Sequence, residues 1–477
     1  MSSSHLNSAA QLEHRFFARL TALIQSQVTT AKQHGFAVAY SGGLDSTVLL
    51  KLARRFALHE KLPIFAFHIH HGLSVNADHW LRHCEQVCLK EGVLFRAKLV
   101  SVDKQGQGTE SAARSVRYAA LGRLCEDVNA PLLLTAHHLD DQAETMLMQL
   151  LRGTGVRGLA GMDDFNYAPA LLENKKLLLA RPLLPESKAQ LQMYAQMHNL
   201  AFVDDESNSS TCYTRNALRL LVMPEIEKIA PHFSERLLRT SEHVRSANRI
   251  LDEVASLDLE KCRDGAELKI DALHELSIDR LHNVFRHWLL MHQVQLPSAA
   301  KLHEMLSQML EARDDARVSV GHLEYVLYRY DRKIVLIDTR FVSNHVGTVY
   351  LQWNGEDACY IPELKGHLLF QEDAFGIDAT LLRQSTLEIR QRAGGERLRL
   401  GKLRPSRDMK SHFQTLRVPF WCREKLPYIY IENQLLHVGM VGTDAAFLSE
   451  CPDEAKIKLT WVPDRPKIHF QNGDIRD

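Results

Sequence analysis

The feature that most constrains the fold is a short N-terminal stretch in which an apolar run passes through a tight turn into a helix. Residues 36–50 are Phe-Ala-Val-Ala-Tyr-Ser-Gly-Gly-Leu-Asp-Ser-Thr-Val-Leu-Leu. The first residues predict a buried strand, the glycines and serine predict the turn, and Val48 begins a predicted helix. Such a turn brings backbone N–H groups and the positive end of a helix dipole together, which suits a phosphate group.

The polar side chains of this turn fit the same ligand. The hydroxyls of Ser41, Ser46 and Thr47 can donate hydrogen bonds, and Asp45 stands where a Mg²⁺ ion that bridges phosphates needs a carboxylate oxygen. A glycine-rich structural turn with Ser46 as the helix N-cap is the alternative. No lysine occupies the position that a Walker A loop requires, so a kinase-like or GTPase-like function loses its main support.

The hexapeptide Ser-Gly-Gly-Leu-Asp-Ser resembles the signature of the PP-loop ATP pyrophosphatases, and all six residues match it. Enzymes of that superfamily split ATP between the α and β phosphates, usually to adenylate a carbonyl oxygen. The resemblance implies an ATP-binding loop made of Ser41, Gly42, Gly43, Leu44, Asp45 and Ser46.

Composition is that of a soluble globular chain of two to four domains, with 477 residues, 45% hydrophobic and 24% charged. Lysine plus arginine equals aspartate plus glutamate at 58 each, so only a local charge imbalance can indicate a polyanionic partner. The eight cysteines form no Cys-x-x-Cys pair, which indicates a reducing compartment. Without a signal peptide or a long apolar run, we expect a cytoplasmic protein with no membrane segment.

Strand and helix patterns alternate through the first part of the chain. Strands are predicted at 64–70, 94–100 and 131–135, and helices at 12–28, 77–91, 110–128 and 141–151. This alternation predicts an α/β fold, with a parallel-sheet nucleotide-binding (PP-loop) domain over residues 1–226. Ligands of such sheets bind at the carboxyl ends of the strands, so the loops after Tyr40, His70 and Thr135 are expected to converge.

The segment from Thr135 to Thr145 holds three carboxylates, at Asp140, Asp141 and Glu144, together with two histidines. Beside a phosphate loop, these residue types favour magnesium binding and substrate positioning. Carboxylates that only complement the dipole of the following helix are the alternative. The histidines lack the spacing of a metallohydrolase, which disfavours zinc.

Arginines recur at helical spacing near the same edge. Arg114 and Arg117 share a predicted helix face, as do Arg215 and Arg219, the latter on a helix expected to stop at Pro224. The first pair suits phosphates and the second could face the cleft, and each pair could equally form an exposed charged row. A Gly-x-Gly-x-x-Gly match at residues 153–158 follows a predicted helix, so it lacks the context of a dinucleotide fingerprint.

The remaining chain predicts a mainly helical domain over 227–345 and a small mixed or β-rich domain over 346–477. Helices are expected at 232–260, 278–292 and 298–312, before a hairpin that turns at 331–332. Residues 388–425 contain eleven lysines and arginines against four acids, and the aromatic residues Phe413, Phe420 and Trp421 lie in the same stretch. This patch predicts nucleic-acid binding, with a solvated surface as the alternative. Its candidate contacts are Arg390, Arg392, Arg397, Arg399, Lys402, Arg404, Arg407 and Lys410.

The order of motifs along nearly the whole chain resembles the tRNA(Ile)-lysidine synthetases. The matching segments are 41–46, 70–73, 110–118, 140–145, 152–155, 286–288, 394–397 and 423–427. Such enzymes use ATP to adenylate the C2 oxygen of the wobble cytidine in a CAU anticodon, and the side-chain amine of lysine then displaces AMP. The resemblance implies isoleucine tRNA and L-lysine as partners, and it leaves a homodimer open.

The same resemblance implies roles for individual residues. Asp45 would meet Mg²⁺ with Asp140 or Asp141, and the candidates for handling cytidine or lysine are His71, Arg114, Asp141 and Glu144. A PP-loop tRNA thiolase is an alternative, although it needs sulfur delivery and reactive cysteine pairs are absent. A non-catalytic RNA-binding protein is another alternative, which the intact six-residue loop opposes.

Overall fold

The chain forms two compact units, Met1–Ile250 and Leu251–Asp477. The computed structural model describes residues 3–70, 72, 74, 76–101, 109–204, 214–313, 316–341, 347–449 and 455–464.

A six-stranded sheet organises the first unit, in the order β3-β2-β1-β4-β6-β5. All neighbouring strands are parallel except the edge strand β5, which is antiparallel to β6. The strands are β1 (Phe36–Ala39), β2 (Ile64–His70), β3 (Leu94–Leu99), β4 (Leu132–Leu134), β5 (Phe165–Tyr167) and β6 (Leu178–Ala180). The predicted parallel sheet is confirmed.

Helices cover both faces of this sheet because the central strands are apolar on both sides. Phe36 and Val38 of β1 pack on α1 (Ser3–Ser26), α3 (Leu44–Glu60) and α9 (Lys188–Met197). Ala37 of β1 and Leu133 of β4 pack on the other side, on α5 (Thr109–Asp127). The helices are α1 (Ser3–Ser26), α2 (Ala31–His34), α3 (Leu44–Glu60), α4 (Ala77–Glu91), α5 (Thr109–Asp127), α6 (Leu139–Leu151), α7 (Val156–Leu159), α8 (Pro169–Leu172), α9 (Lys188–Met197), α10 (Thr214–Ala217), α11 (Met223–Ile229) and α12 (Phe233–Cys262).

The expected helix stop at Pro224 is wrong. The chain stays helical from α10 through a π-helical turn, Leu218–Val222, into α11. Pro224 lies in the first turn of α11. An N–H in that turn has no acceptor within the helix, so the missing N–H of proline costs no helical hydrogen bond. In the π turn the N–H of Met223 donates to the carbonyl of Leu218. The proline is therefore accommodated, and Arg215 and Arg219 share one continuous helical segment.

The second unit begins with helices around an antiparallel sheet of order β7-β8-β11-β10-β9. Phe285 and Trp288 of α14 and Met305 of α15 form its core with strand residues. Asp331 and Arg332 both have positive φ, 48° and 58°, which confirms the predicted hairpin turn. The elements are α13 (Ile270–His274), α14 (Ile278–Met291), α15 (Ala299–Leu310), β7 (Arg263–Asp264), β8 (Glu267–Lys269), β9 (Ser319–His322), β10 (Tyr325–Tyr330) and β11 (Lys333–Asp338).

The C-terminal part is built mainly from strands, as predicted, and their pairing is antiparallel. One sheet has the order β12-β15-β18-β19-β20, a second β13-β14-β21, and β16 pairs with β17. Its elements are β12 (Val349–Gln352), β13 (Ala358–Ile361), β14 (Gly366–Asp378), β15 (Thr386–Arg390), β16 (Arg397–Leu398), β17 (Arg407–Asp408), β18 (Tyr428–Ile431), β19 (Gln434–Val438), β20 (Gly442–Thr443), β21 (Lys456–Pro463), α16 (Ala379–Gln384), α17 (Met409–Thr415) and α18 (Phe420–Arg423). The three-domain division at 226 and 345 stays a prediction.

Within the described residues, no helix combines the length and the apolar character needed to cross a membrane.

Candidate active site

A cavity of about 410 Å³ opens at the carboxyl ends of β1, β2 and β4, a volume within the range of small-molecule sites. The glycine loop, the end of β2, the segment after β4 and the start of α9 all contribute to its wall. Its polar and charged lining includes Ser41, Asp45, Ser46, His68, His70, Arg117, Thr135, His137, Lys188, Asp204 and Arg219. The predicted convergence of loops at this edge is what the structure shows.

The loop between β1 and α3 is held by its own hydroxyls and by close packing. Gly42 has φ +87°, and a Cβ there would lie 2.8 Å from Cys84 Sγ. Both the backbone conformation and the lack of space therefore disfavour any side chain at this position. Ser46 Oγ donates to the Gly43 carbonyl at 3.0 Å and lies 3.0 Å from Ser41 Oγ. The loop is thus fixed with the first turn of α3, whose leading N–H groups lack helical acceptors, facing the cavity.

His138 lies at the centre of a carboxylate cluster beside the loop. Its Nε2 is 3.6 Å from Asp45 Oδ2 and 3.4 Å from Asp141 Oδ2, and its Nδ1 is 3.5 Å from Asp140 Oδ2. Burial lowers the pKa of His138, but the surrounding carboxylates outweigh it and raise that pKa to about 10. The carboxylates thus favour the protonated form of the imidazole.

Asp45 and Asp140, both of which are predicted to bind Mg²⁺, differ in their surroundings. Asp45 lines the cavity, and its Oδ1 is buried without a hydrogen-bond partner. Asp140 accepts a 2.9 Å hydrogen bond from the backbone N–H of Lys188 and is not among the cavity-lining residues. An unpaired, buried carboxylate oxygen fits a cation, so Asp45 is the better placed of the two.

Asp141 and Glu144 are bound by the arginines of the following helical segment. Glu144, fully buried, accepts from Arg215 Nε at 2.7 Å and from Arg219 Nε at 2.5 Å. Asp141 Oδ1 accepts from Arg215 Nη2 at 3.1 Å and from Arg219 Nη2 at 3.3 Å. Arg219 thus faces the cleft, which was one of the two sequence-based alternatives for this pair. Arg215, Asp141 and Glu144 are not among the cavity-lining residues.

The remaining predicted residues of this edge lie at different distances from the cavity. Arg114 and Arg117 stack on the ring of Tyr118, with guanidinium carbons 4.9 and 5.6 Å from its centroid, and Arg117 and Tyr118 line the cavity. Arg114 lies beside that wall without lining it. His71 lies outside the described residues.

Sequence reasoning gave no role to several cavity residues. His137 is one: burial lowers its pKa to about 3, and its Nδ1 lies 3.0 Å from Thr135 Oγ1, so it is neutral. Lys188 begins α9, after the last parallel strand, and Trp80 extends from α4. The positions of His137 and Lys188 after strands of the sheet could have identified them as cavity residues, whereas no sequence signal indicated Trp80.

The predicted basic patch divides into two groups. Arg390 stacks 3.9 Å from the Tyr430 ring centroid and pairs with Glu388, and Arg392 stacks on Phe413 and pairs with Glu396. The other six surround one hairpin, β16 with β17 and the loop between them. We call residues 397–410 the basic hairpin, and these six are Arg397, Arg399, Lys402, Arg404, Arg407 and Lys410.

Three family models match the chain, and together they span most of it. A PP-loop domain matches residues 12–226, a TilS substrate binding domain matches 268–335, and a TilS substrate C-terminal domain matches 387–461. The first contains the cavity and the last contains the basic hairpin.

Curated relatives match over nearly their whole length. The tRNA(Ile)-lysidine synthase of Burkholderia pseudomallei is 39% identical over 465 residues, covering 90% of this chain and 93% of that protein. That of Serratia proteamaculans is 36% identical over 433 residues, covering 89% and 94%. That of Nitrosomonas europaea is 34% identical over 432 residues, covering 89% and 91%. This chain therefore belongs to the tRNA(Ile)-lysidine synthase family.

Proposed function

We propose that this protein is a ligase that uses ATP to join L-lysine to C2 of the wobble cytidine in the CAU anticodon of isoleucine tRNA. It would release AMP and pyrophosphate and leave lysidine in the tRNA. The observation that carries the proposal is the intact phosphate loop, at the wall of a cavity of nucleotide size, in a chain of this family.

The first step of the reaction brings negatively charged phosphates into the cavity, whose wall carries groups that stabilise negative charge. When the C2 oxygen of cytidine attacks the α phosphorus of ATP, the bond to the bridging oxygen breaks and pyrophosphate leaves. The N-terminus of α3, with Gly43 as its N-cap, supplies N–H donors for these phosphates. Lys188 and Arg219 add positive charge to the wall of the same cavity.

Mg²⁺ fits the carboxylate side of this cavity. In the described residues no group of three or more His, Cys, Asp or Glu side chains could hold a metal. Magnesium ordinarily keeps several waters and takes only one or two carboxylates along with substrate phosphates, so such a group is not required. Asp45, with Asp140 behind it, would supply those carboxylates, and the bound ion would neutralise phosphate charge.

In the second step the amine of lysine attacks C2 and AMP leaves with the oxygen that it had activated. We propose that Asp141 and Glu144 serve this site by fixing Arg219 at the wall, since both carboxylates already bind arginines. Arg114, held against Tyr118, and His71 remain candidates for contacting cytidine or lysine.

The basic hairpin would bind phosphates of the same tRNA at nucleotides other than the reacting cytidine. Selecting one cytidine requires more contacts than one base offers, and RNA recognition depends on shape and phosphates as well as unstacked bases. A homodimer and a cytoplasmic location stay predictions.

The test supplies radiolabelled lysine, ATP and tRNA with a CAU anticodon, and follows label and nucleotide products together. We expect label in the tRNA and one AMP per lysine incorporated. Absence of lysine label from the tRNA, with incorporation of sulfur when a labelled sulfur donor is supplied instead, would contradict the proposal and favour a thiolase. Binding of tRNA without any ATP cleavage would favour a non-catalytic RNA-binding protein.

A further inference from the structure

The tip of the basic hairpin carries a fully exposed apolar side chain. Leu403 has a relative accessibility of 102%, whereas Leu398 of the same hairpin is completely buried and Leu400 packs against the same core. Single exposed leucines are common on protein surfaces, so exposure alone indicates nothing. What distinguishes Leu403 is how its loop is held and which residues surround it.

Hydrogen bonds brace the loop that presents this leucine. The N–H of Arg404 donates to the carbonyl of Gly401 at 2.9 Å, which closes a turn with Lys402 and Leu403 at its corner. Below the turn, the Arg399 N–H donates to Asp444 Oδ2 at 2.9 Å. The side chain of Leu403 is therefore held outward by a fixed backbone and makes no contribution to the core.

Exposed cations surround the leucine on both strands of the hairpin. Lys402 and Arg404 flank it in sequence, and Arg397, Arg407 and Lys410 are exposed at the base of the hairpin. An apolar protein surface would have to bury these charges beside the leucine at a large cost. A nucleic acid satisfies both requirements, because its phosphates pair with the cations and the faces of its bases offer an apolar surface to the leucine.

We infer that Leu403 packs against the face of an RNA base that no neighbouring base covers, while the cations of the basic hairpin hold the adjoining phosphates. Apolar side chains contact exposed or unstacked bases in this way in nucleic-acid complexes, and stacked contacts add affinity without reading sequence. The inference rests on the proposed function, since it takes tRNA as the partner.

The experiment compares Leu403→Ala with Leu416→Ala, which removes another exposed leucine from the same domain. We expect Leu403→Ala to bind whole tRNA about tenfold more weakly than the wild type, with the same dependence on salt, because no phosphate contact is lost. Leu403→Phe should retain the affinity. Heparin, a polyanion without bases, should bind all three variants and the wild type equally.

An affinity of Leu403→Ala for tRNA within about twofold of the wild type would overturn the inference. So would an equal loss of heparin binding, which would indicate a disturbed loop. Loss of binding to anionic lipid vesicles without loss of tRNA binding would assign the leucine to a membrane surface. If the wild type bound no tRNA, the proposed function would fail as well, so the two failures are distinguishable.

Discussion

Glu144 holds Arg219 at the wall of the cavity. The carboxylate is completely buried, and it accepts from Arg219 at 2.5 Å while it also accepts from Arg215 at 2.7 Å. A buried carboxylate between two arginines fixes their positions strongly, because removing either partner leaves an unpaired charge in the interior.

Glu144→Gln should therefore both destabilise the protein and slow ATP use. We expect a loss of about 3 kcal/mol in the free energy of unfolding, since the two guanidinium groups lose their shared buried anion. Pyrophosphate release should fall at temperatures where the variant is still folded. The control is Glu173→Gln, which removes an exposed ion pair with Arg123 and should change neither quantity appreciably. Equal behaviour of the two variants would contradict this role for Glu144.

The sequence predicts the phosphate loop and the parallel sheet because both depend on local signals. A run such as Phe36–Ala39 is apolar on both faces, and Gly42 occupies a conformation that favours glycine. The pairing of Glu144 with Arg215 and Arg219 joins residues more than 70 positions apart. No local pattern specifies such a pair, so the sequence left the arginines open between a cleft and a solvated face.

The continuation of the helix past Pro224 shows the same limit. Proline usually ends a helix, yet the π turn that ends at Val222 places Pro224 in the first turn of α11, where proline is tolerated. The separation of the basic patch into two groups also depends on tertiary contacts, which the local sequence does not specify. Arg390 and Arg392 resemble their neighbours in sequence, but they stack on Tyr430 and Phe413, whereas the six cations of the basic hairpin surround β16 and β17.

Asp45→Asn should abolish cleavage of ATP to AMP and pyrophosphate while the protein stays folded. Asp45 contributes a cavity-facing carboxylate with an unpaired buried oxygen, and it contributes no apolar packing. Product chromatography after incubation with ATP and tRNA provides the measurement, with circular dichroism as the check on folding. Formation of ADP by the wild type would show that the enzyme cleaves a different bond.

Stability at acid pH should depend on Glu186, which lies almost fully buried between Arg15 and Arg19 at 2.6 and 2.7 Å. Burial raises the pKa of Glu186, but the two arginines outweigh it and hold that pKa below its usual value. The unfolded chain therefore takes up the proton first as pH falls. The stabilisation is complete above about pH 4.3 and is lost as pH falls through the lower pKa of the folded state.

Glu186→Gln isolates this contribution, because the amide has no carboxyl proton to gain. The urea midpoints of wild type and variant should differ at pH 7 and converge as the pH falls below about 4. A difference between the two that stays constant over this range would show that Glu186 does not couple folding to pH.

Thiol reagents should leave the enzyme active. Burial raises the pKa of Cys84 and of Cys88 to about 12, and Cys125 is shifted in the same direction, so these thiols stay protonated and inaccessible. Cys212 lies outside the described residues. In the proposed reaction lysine supplies the nucleophile, so alkylation of the native protein with iodoacetamide should preserve lysine incorporation. Complete inactivation of a protein that stays folded would revive the thiolase alternative.

The basic hairpin should determine how strongly salt weakens tRNA binding. Each phosphate that a cation contacts releases counterions on binding, so the logarithm of affinity falls with the logarithm of salt concentration in proportion to the number of contacts. Replacing Arg404 and Arg407 together by glutamine should reduce that slope by about 1.5 and weaken binding of whole tRNA. The matched control is the double replacement of Lys175 and Lys176, which are exposed and lie outside the hairpin. Pyrophosphate release with a minimal anticodon stem-loop should change much less in the arginine variant, since the phosphate loop belongs to the other unit. An unchanged salt slope would show that the hairpin is only a solvated surface.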